Sequence, residues 1–168
     1  MATYTDPIIK KYIDLIKTNT SALKAFYQGE PIRLPVSNLP CAIISKRETR
    51  VGPLTNAEDE HGIGMSITIV ADVRKDLSTE DNIAKAVAGV STLYDLIEGR
   101  NDDLTLKDQS ILGILRSNIV VDAARNLRTD LGSMTRVDYG TTLRDRAPEE
   151  WSIEARIDCP GSAPMAQN

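Results

Sequence analysis

Residues 39 to 74 read LPCAIISKRETRVGPLTNAEDEHGIGMSITIVADVR, and this stretch decides the fold that the sequence predicts. It opens with an apolar run, Pro40 to Ile44, and closes with an apolar/polar alternation from Ile63 to Val73. Between them lie about 16 mostly hydrophilic residues, Lys46 to His61, whereas most hairpin loops have two to five. The pattern predicts two paired strands whose connection leaves the domain as an exposed arm, and such arms more often contact neighbouring subunits than carry out chemistry.

Helical patterns flank this hairpin. Asp6 followed by Pro7 is a start signal, because aspartate caps a helix and proline is tolerated at its first position. Apolar residues at helical spacing continue to Tyr27, with a weak point at residues 18–21, and Gly29 is expected to end the helix. A second helix should follow the capping sequence at residues 78–81 and close at Gly99, and a third should run from about Leu106 to Asn118.

Two more strands are expected near the C-terminus. The first lies near Ser133–Gly140, and the second is Trp151–Cys159, in which apolar and polar residues alternate as in a half-buried strand. The predicted fold class is α+β: an antiparallel β-sheet of about four strands, helices packed on one face, and a long extended hairpin arm. Residues 1–160 should form one domain and residues 161–168 a flexible C-terminal tail.

Composition narrows the classes of function. The chain has 168 residues and a net charge of −4, which argues against a general nucleic-acid binder held by phosphate contacts. No signal peptide is apparent, and the apolar runs are far shorter than the ~20 residues of a membrane span, so a soluble intracellular product is expected. Cys41 and Cys159 lie in apolar strand patterns, which favours buried thiols over a disulfide.

The catalytic inventory is small. His61 is the only histidine; Asp59 or Glu60 could orient it as a base, but a solvated loop histidine among acids explains the same pattern. The sequence Gly62-Ile63-Gly64 opens a strand instead of joining a strand to a helix, so it predicts a bulge or a close backbone approach and not a phosphate loop. We therefore expect no catalytic residue, no metal site and no cofactor.

Charged residues are better candidates for subunit contacts. No lysine follows Lys107, whereas arginines recur as far as Arg156 and are interleaved with acids. Because arginine makes planar, bidentate contacts with carboxylates, this pattern favours pairing between subunits over a plain solvated surface, and a phosphate-facing patch is a minor alternative. Asp72 and Arg74 alternate onto one face of their strand. The interface candidates are Arg47, Arg50, Glu58, Asp59, Glu60, Asp72, Arg74, Arg136, Arg144 and Arg146.

The order of several short motifs carries a family resemblance across nearly the whole chain. After the amphipathic opening helix come Phe26–Pro31, Ser37–Ser45, the long strand ending in Asp72–Arg74, then Ser110–Arg116 and Val137–Gly140 before a final strand. In this order the chain resembles the tail terminator (tail-completion or neck) proteins of long-tailed bacteriophages. The family has no catalytic motif to carry over, and no family residue is transferred as a known site.

The resemblance implies an α+β subunit of a homo-oligomeric, hexameric ring at the head-proximal end of the tail tube. Such a ring stops tube polymerisation and provides the surface that joins the head. The implied partners are the tail tube protein and a head connector or stopper protein. Genomic DNA would pass through the lumen without specific binding, and no membrane is involved. The implied location is the tail or neck of the virion, after assembly in the host cytoplasm.

Two alternatives remain. Another neck component, such as a head-completion or connector protein, would also be a ring-forming structural protein. A small intracellular enzyme using His61 and nearby acids is the second alternative.

Overall fold

The computed structural model describes residues 6–29, 31–53, 58–72, 92–129, 136–139, 144–147 and 150–166. The α-helices among them are α1 (Pro7–Asn19), α2 (residues 92–98) and α3 (Ile111–Ser117). Short 3-10 helices lie at Val36–Asn38 and Ala123–Arg125. The strands are β1 (Ala25–Gln28), β2 (Cys41–Pro53), β3 (Glu58–Asp72), β4 (Val120–Asp122), β5 (Leu127–Thr129), β6 (Arg136–Asp138), β7 (Arg144–Ala147) and β8 (Glu150–Ala166).

The sheet is built around three long strands. β2 pairs antiparallel with β3, and β3 pairs antiparallel with β8. β1 adds to β2 in parallel, whereas the short strands β5, β6 and β7 add to β8 and β4 adds to β5. The α+β class is therefore found, but the expectation of a purely antiparallel sheet is wrong because of β1. Residues 25–28 were expected to continue a helix, and a four-residue strand is too short to show a period of two.

The long connection expected in the hairpin is mostly strand. β2 and β3 stay in register from the pair Cys41 and Val70 out to the pair Pro53 and Asp59, which leaves only residues 54–57 between them, outside the described residues. The side chains from Lys46 to Arg50 are all exposed. With water on both faces there is no apolar alternation, so the sequence pattern that reveals a half-buried strand is missing.

The C-terminal segment also differs from expectation. Residues 161–166 belong to β8 and pair with β3, from Gly161 opposite Ile63 to Ala166 opposite Glu58. The prediction of a flexible tail is therefore wrong for this segment. Its small residues and prolines suggested a tail, but pairing with a neighbouring strand uses backbone groups and does not require apolar side chains.

The main core lies between one face of the sheet and the helices. The predicted alternation in β3 is confirmed, since every second residue from Ile63 to Ala71 is buried in this core. α1 contributes Ile9, Tyr12 and Ile16, and further buried residues come from α2, α3 and β2. From β8 the core includes Ile157, whose side chain is fully buried. All three described helices thus cover the same face.

A second, smaller cluster covers the other face of the sheet near the start of β2. Leu34 and Leu39, from the extended segment before β2, pack with Cys41, Ile43 and Val70. The strands are therefore buried on both faces at this end, which we call the proximal sheet (residues 41–45 and 63–71). Cys41 is a buried thiol, as the sequence predicted.

The helix boundaries follow from their caps. Asp6 Oδ1 accepts hydrogen bonds from the backbone N–H groups of Ile8 (2.8 Å) and Ile9 (3.4 Å), so the predicted start of α1 is confirmed. α1 ends at Asn19, at the predicted weak point. α3 begins at Ile111 and not near Leu106, because Ser110 Oγ caps it by accepting from the N–H of Gly113 at 3.2 Å. The predicted start of the second helix lies outside the described residues.

Candidate subunit-interface surface

Beyond the proximal sheet the three long strands continue as a paired ribbon. We call residues 46–53 of β2, 58–62 of β3 and 160–166 of β8 the distal ribbon. Its described side chains are exposed or half-buried, and the buried clusters include none of them. The distal ribbon contains five of the ten predicted interface residues.

A β-bulge marks the point where β2 leaves the core. The register shifts between Lys46 and Glu48, so that Lys46 lies opposite Met65 and Glu48 lies opposite Gly64. Lys46 Nζ lies 3.0 Å from Asp6 Oδ2 and ties the ribbon to the start of α1. A Cβ on Gly64 would lie 3.3 Å from Glu48 Cβ, a tight contact. The predicted bulge or close approach near this glycine is therefore confirmed.

The lysine and the two backbone donors also act on the carboxylate of Asp6. Burial alone would raise the pKa of Asp6, but the ammonium of Lys46 and the N–H groups of Ile8 and Ile9 stabilise the ionised form. The net result is a pKa below the ordinary value. The charge of Asp6 therefore supports both the cap of α1 and the attachment of β2.

The basic side of the distal ribbon lies on β2. Arg47 and Arg50 are both exposed, and Arg50 Nε donates to Glu48 Oε1 at 2.6 Å. This hydrogen bond raises the pKa of the Arg50 guanidinium. The pair is solvent-exposed, with 80% of the Arg50 side chain accessible, so it contributes little to stability. Among the described side chains no ion pair includes Arg47.

The acidic side lies at the start of β3. Asp59 is opposite Pro53 on β2 and Met165 on β8, and Glu60 is opposite Gly52 and Pro164. The fold thus brings Glu58, Asp59 and Glu60 onto the strand next to Arg47 and Arg50. The sequence predicted both groups on one arm, and the structure places them on two paired, neighbouring strands.

The other predicted interface residues lie elsewhere. Asp72 ends β3 roughly 45 Å from Glu58 at the usual rise per residue. Asp72 and Arg144 are both register partners of Ser152, on opposite sides of β8, and Arg146 lies on β7 with Arg144. Arg136 on β6 is opposite Asp158, and Arg74 lies outside the described residues. The ten candidates therefore do not form one patch.

Neither register partner of His61 on the neighbouring strands could orient it as a base. Its register partners are Val51 on β2 and Ala163 on β8, and neither carries a polar side-chain group. Within the described residues no group of histidine, cysteine, aspartate or glutamate side chains could hold a metal ion. The side chains of Asp59 and Glu60, the acids that the sequence offers to orient His61, are not among those that the structure describes.

One polar cluster was missed by sequence reasoning. The rings of Tyr94 and Tyr139 meet edge to face, with centroids 4.4 Å apart, and Tyr139 Oη donates to Glu98 Oε1 at 2.7 Å. Burial, together with this hydrogen bond, raises the pKa of Tyr139 well above its ordinary value. The apolar periodicity of the second helix could indicate Tyr94 but not its partner 45 positions away. This contact joins α2 to the residue after β6.

Exposed apolar side chains were also missed. Val51 is 60% exposed at the edge of the distal ribbon, and Ile119 and Val120 are exposed beside β5. Sequence alone gives no signal for them, because an isolated apolar residue has the same appearance whether it is buried or exposed.

No described helix is long and apolar enough to cross a membrane. Comparison with models of known protein families finds no match, and a search of curated proteins finds none.

Proposed function

We propose that the chain is a structural subunit of a ring, most simply a hexamer, at the head-proximal end of the tail tube of a long-tailed bacteriophage. There it ends tube polymerisation and offers the surface to which the head joins. The proposal starts from the resemblance of the ordered sequence motifs. The distal ribbon is the structural observation that supports it best.

The distal ribbon supports a role in assembly, because its exposed side chains contribute little to the stability of the fold. Among the described side chains, the buried ones of β2 end at Ile44 and those of β3 begin at Ile63, yet both strands continue well beyond these points. Side chains from Lys46 to Val51 are exposed. A three-stranded extension whose described side chains belong to no buried cluster is suited to contacts with other protein subunits. We propose that it projects from the subunit and contacts a neighbour or the tail tube.

The composition agrees with a wall around a DNA passage. A net charge of −4 disfavours strong retention of DNA, since phosphate binding requires clustered cations. In this proposal the partners are other copies of the chain, the tail tube protein and a head connector or stopper protein. DNA is cargo that passes without being bound.

Location in the particle is the decisive measurement. Antibody-labelled or tagged protein should be found by electron microscopy at the top of the tail tube, between tail and head. Tails made without the protein should lose length control and should not join heads. Finding the protein on tail-free heads would instead favour a head-completion or connector role, and its absence from particles would contradict both.

A substitution of the histidine separates assembly from catalysis. His61→Ala should leave particle assembly unchanged, because the side chain lies on the distal ribbon among Val51, Ala163 and Gly62. Arg50→Glu at the neighbouring register position is a matched variant that should impair assembly. If His61→Ala abolished function while particles formed normally, the enzyme alternative would replace the proposal.

A further inference from the structure

The outer edge of β2 is paired only over its first residues. β1 runs along this edge as far as Ile44, whose carbonyl oxygen accepts from the N–H of Gly29 at 2.8 Å. From Ser45 to Pro53 no other strand of the described chain lies along the outer edge, whereas β3 lies along the inner one. At the usual rise per residue the unpaired edge is about 30 Å long. Such an edge offers free backbone N–H and C=O groups to another strand.

The ladder between β2 and β3 shows which backbone groups face outward. In an antiparallel pair, opposed residues alternate between those bonded to each other and those whose N–H and C=O point away from the partner strand. Ile44 is of the second kind, because its carbonyl faces β1, and its register partner is Ile67. Every second residue of β3, counted from Ile67, is therefore opposite an outward-facing residue of β2. Beyond the bulge the outward-facing residues are Thr49, Val51 and Pro53, opposite Ile63, His61 and Asp59.

The side chains next to Thr49 carry opposite charges. Glu48 and Arg50 lie on one face of β2, and Arg50 Nε donates to Glu48 Oε1 at 2.6 Å. Both side chains are mostly accessible to solvent, at 55% and 80%. Their register partners on β3, Gly64 and Gly62, have no side chains. The edge therefore presents an acid and a base on either side of one outward-facing residue.

Antiparallel pairing of this edge with the same edge of a second copy must match outward-facing residues with one another. The pairing is then symmetric about one residue of the edge. Symmetry about Glu48 or Arg50 would place like charges directly opposite each other, which is destabilising. Symmetry about Val51 would place Thr49 opposite Pro53, which has no N–H to donate.

Symmetry about Thr49 has neither defect. Thr49 of one copy then lies opposite Thr49 of the other, and each N–H meets the C=O of the opposite copy. On either side of this pair, Glu48 lies opposite Arg50 of the second copy, so that two acid–base pairs cross the contact. Together with the ion pair inside each copy, the four charged side chains form a square of alternating sign.

We infer that β2 pairs antiparallel with β2 of a second copy along residues 47–51, about a two-fold axis at Thr49. The occupant follows from the edge itself, because in this register its charges are complementary to those of its own copy. The contact is isologous and closes after two copies, whereas a ring requires a head-to-tail contact. The inference therefore goes beyond the proposed function, concerns the chain in solution and does not rest on the ring.

Cysteine variants test the register. In the proposed contact, positions 48 and 50 of opposite copies form a non-hydrogen-bonded pair with Cα atoms about 4.5 Å apart, within disulfide range. An equimolar mixture of Glu48→Cys and Arg50→Cys should form a mixed disulfide under mild oxidation, and it keeps the second Arg50–Glu48 pair. Either variant alone should not cross-link through the new cysteine, since identical positions lie diagonally, about 7–8 Å apart. Mass spectrometry identifies the linked peptides, and the unaltered chain, with Cys41 and Cys159, gives the background.

A proline substitution tests the backbone edge. Thr49→Pro removes an N–H that faces outward and not one that bonds to β3, so the melting temperature should change little. Thr49→Ala is the matched control, because it removes the side chain and keeps the N–H. Sedimentation velocity over a concentration series should show reversible dimers of the unaltered chain and of Thr49→Ala. Thr49→Pro should associate more weakly by at least about tenfold.

The outcomes separate this contact from other kinds of association. A disulfide between positions 48 and 50, together with weakened association of Thr49→Pro, supports it. Absence of that disulfide in the mixture, or equal association of the proline and alanine variants, overturns it because another surface then joins the copies. An unaltered chain that stays monomeric at every concentration also overturns it. The particle location described above decides the proposed function independently of all these results.

Discussion

The two ends of the β2–β3 hairpin have the same backbone pairing and opposite surroundings. In the proximal sheet Ile44, Ile67 and Ile157 form one row across three strands, and all three side chains are fully buried. In the distal ribbon the corresponding row is Val51, His61 and Ala163, where Val51 is mostly exposed. Strand pairing therefore extends well beyond the core that stabilises it.

The comparison separates two tasks along one pair of strands. Apolar burial, at about 25 cal/mol per Å², stabilises the proximal sheet. Exposed charges contribute little to folding, and in the proposed ring those of the distal ribbon would serve contacts with other molecules. Five predictions test this division, from the largest expected effect to the smallest.

The largest effect is expected in the central buried row. Ile67→Ala should lower the free energy of unfolding by about 3–4 kcal/mol, because it removes a fully buried side chain from between two others. Val51→Ala, on the same hairpin, should change it by less than about 0.5 kcal/mol. Urea unfolding of both variants gives the comparison. Similar losses would mean that the distal ribbon is part of the folding core.

The attachment of the distal ribbon to α1 should contribute less to the free energy of unfolding than the buried core does. Asp6→Ala removes the cap and the ion pair with Lys46, and should cost about 1–2 kcal/mol at neutral pH. Asp6→Asn is the control, because asparagine caps helices but carries no charge. Unfolding free energies of these two variants separate the cap from the charge.

The pH dependence of Asp6 has a defined sign. Its pKa is lower in the folded chain than in the unfolded chain, so its charge stabilises the fold above the unfolded value near 3.9. That contribution is lost as the pH falls through the lowered, folded pKa. The difference between the unaltered chain and Asp6→Asn should therefore shrink between pH 6 and pH 3. A constant difference over this range would contradict the assigned pKa direction.

Shortening the ribbon should be tolerated in folding. Replacing residues 51–61 by Asn-Gly joins Arg50 to Gly62, which are direct register partners. The change should cost less than about 2 kcal/mol, because none of the described side chains that it removes is buried. Truncation after Ser162 removes the β8 partners of the same β3 residues. The variant that combines both changes should therefore lose less unfolding free energy than the two separate variants lose in sum. Melting curves of the three variants test this, and loss of cooperative unfolding would contradict it.

The smallest effect concerns a buried hydroxyl in the proximal part of the sheet. Ser66 Oγ is fully buried and has no hydrogen-bond partner in the part of the chain that the structure describes. Ser66→Ala should leave stability unchanged or raise it by up to about 1 kcal/mol, since an unsatisfied polar group is removed from the interior. Ser45→Ala, at the half-buried register partner, is the control. A clear loss of stability in Ser66→Ala would indicate a partner for this hydroxyl.

Local sequence determined much of the proximal structure. The cap at Asp6, the end of α1 near Asn19 and the buried alternation from Ile63 to Ala71 were all predictable. Each depends on interactions within a few residues or on one face of one strand, so the pattern is present in the sequence itself. The prediction that charged residues cluster in the segment after Ile44 rested on composition in the same way.

Only the tertiary structure decided how the distal residues are arranged. That residues 161–166 form the third strand of the ribbon, and that β1 runs parallel to β2, depends on pairing with distant segments. Backbone hydrogen bonds can form between strands of any composition, so a polar or proline-containing strand carries no signal of its partner. The alternation of apolar and polar side chains arises where one face of a strand is buried. Where water lies on both faces, the alternation is missing and the sequence gives no indication of the register.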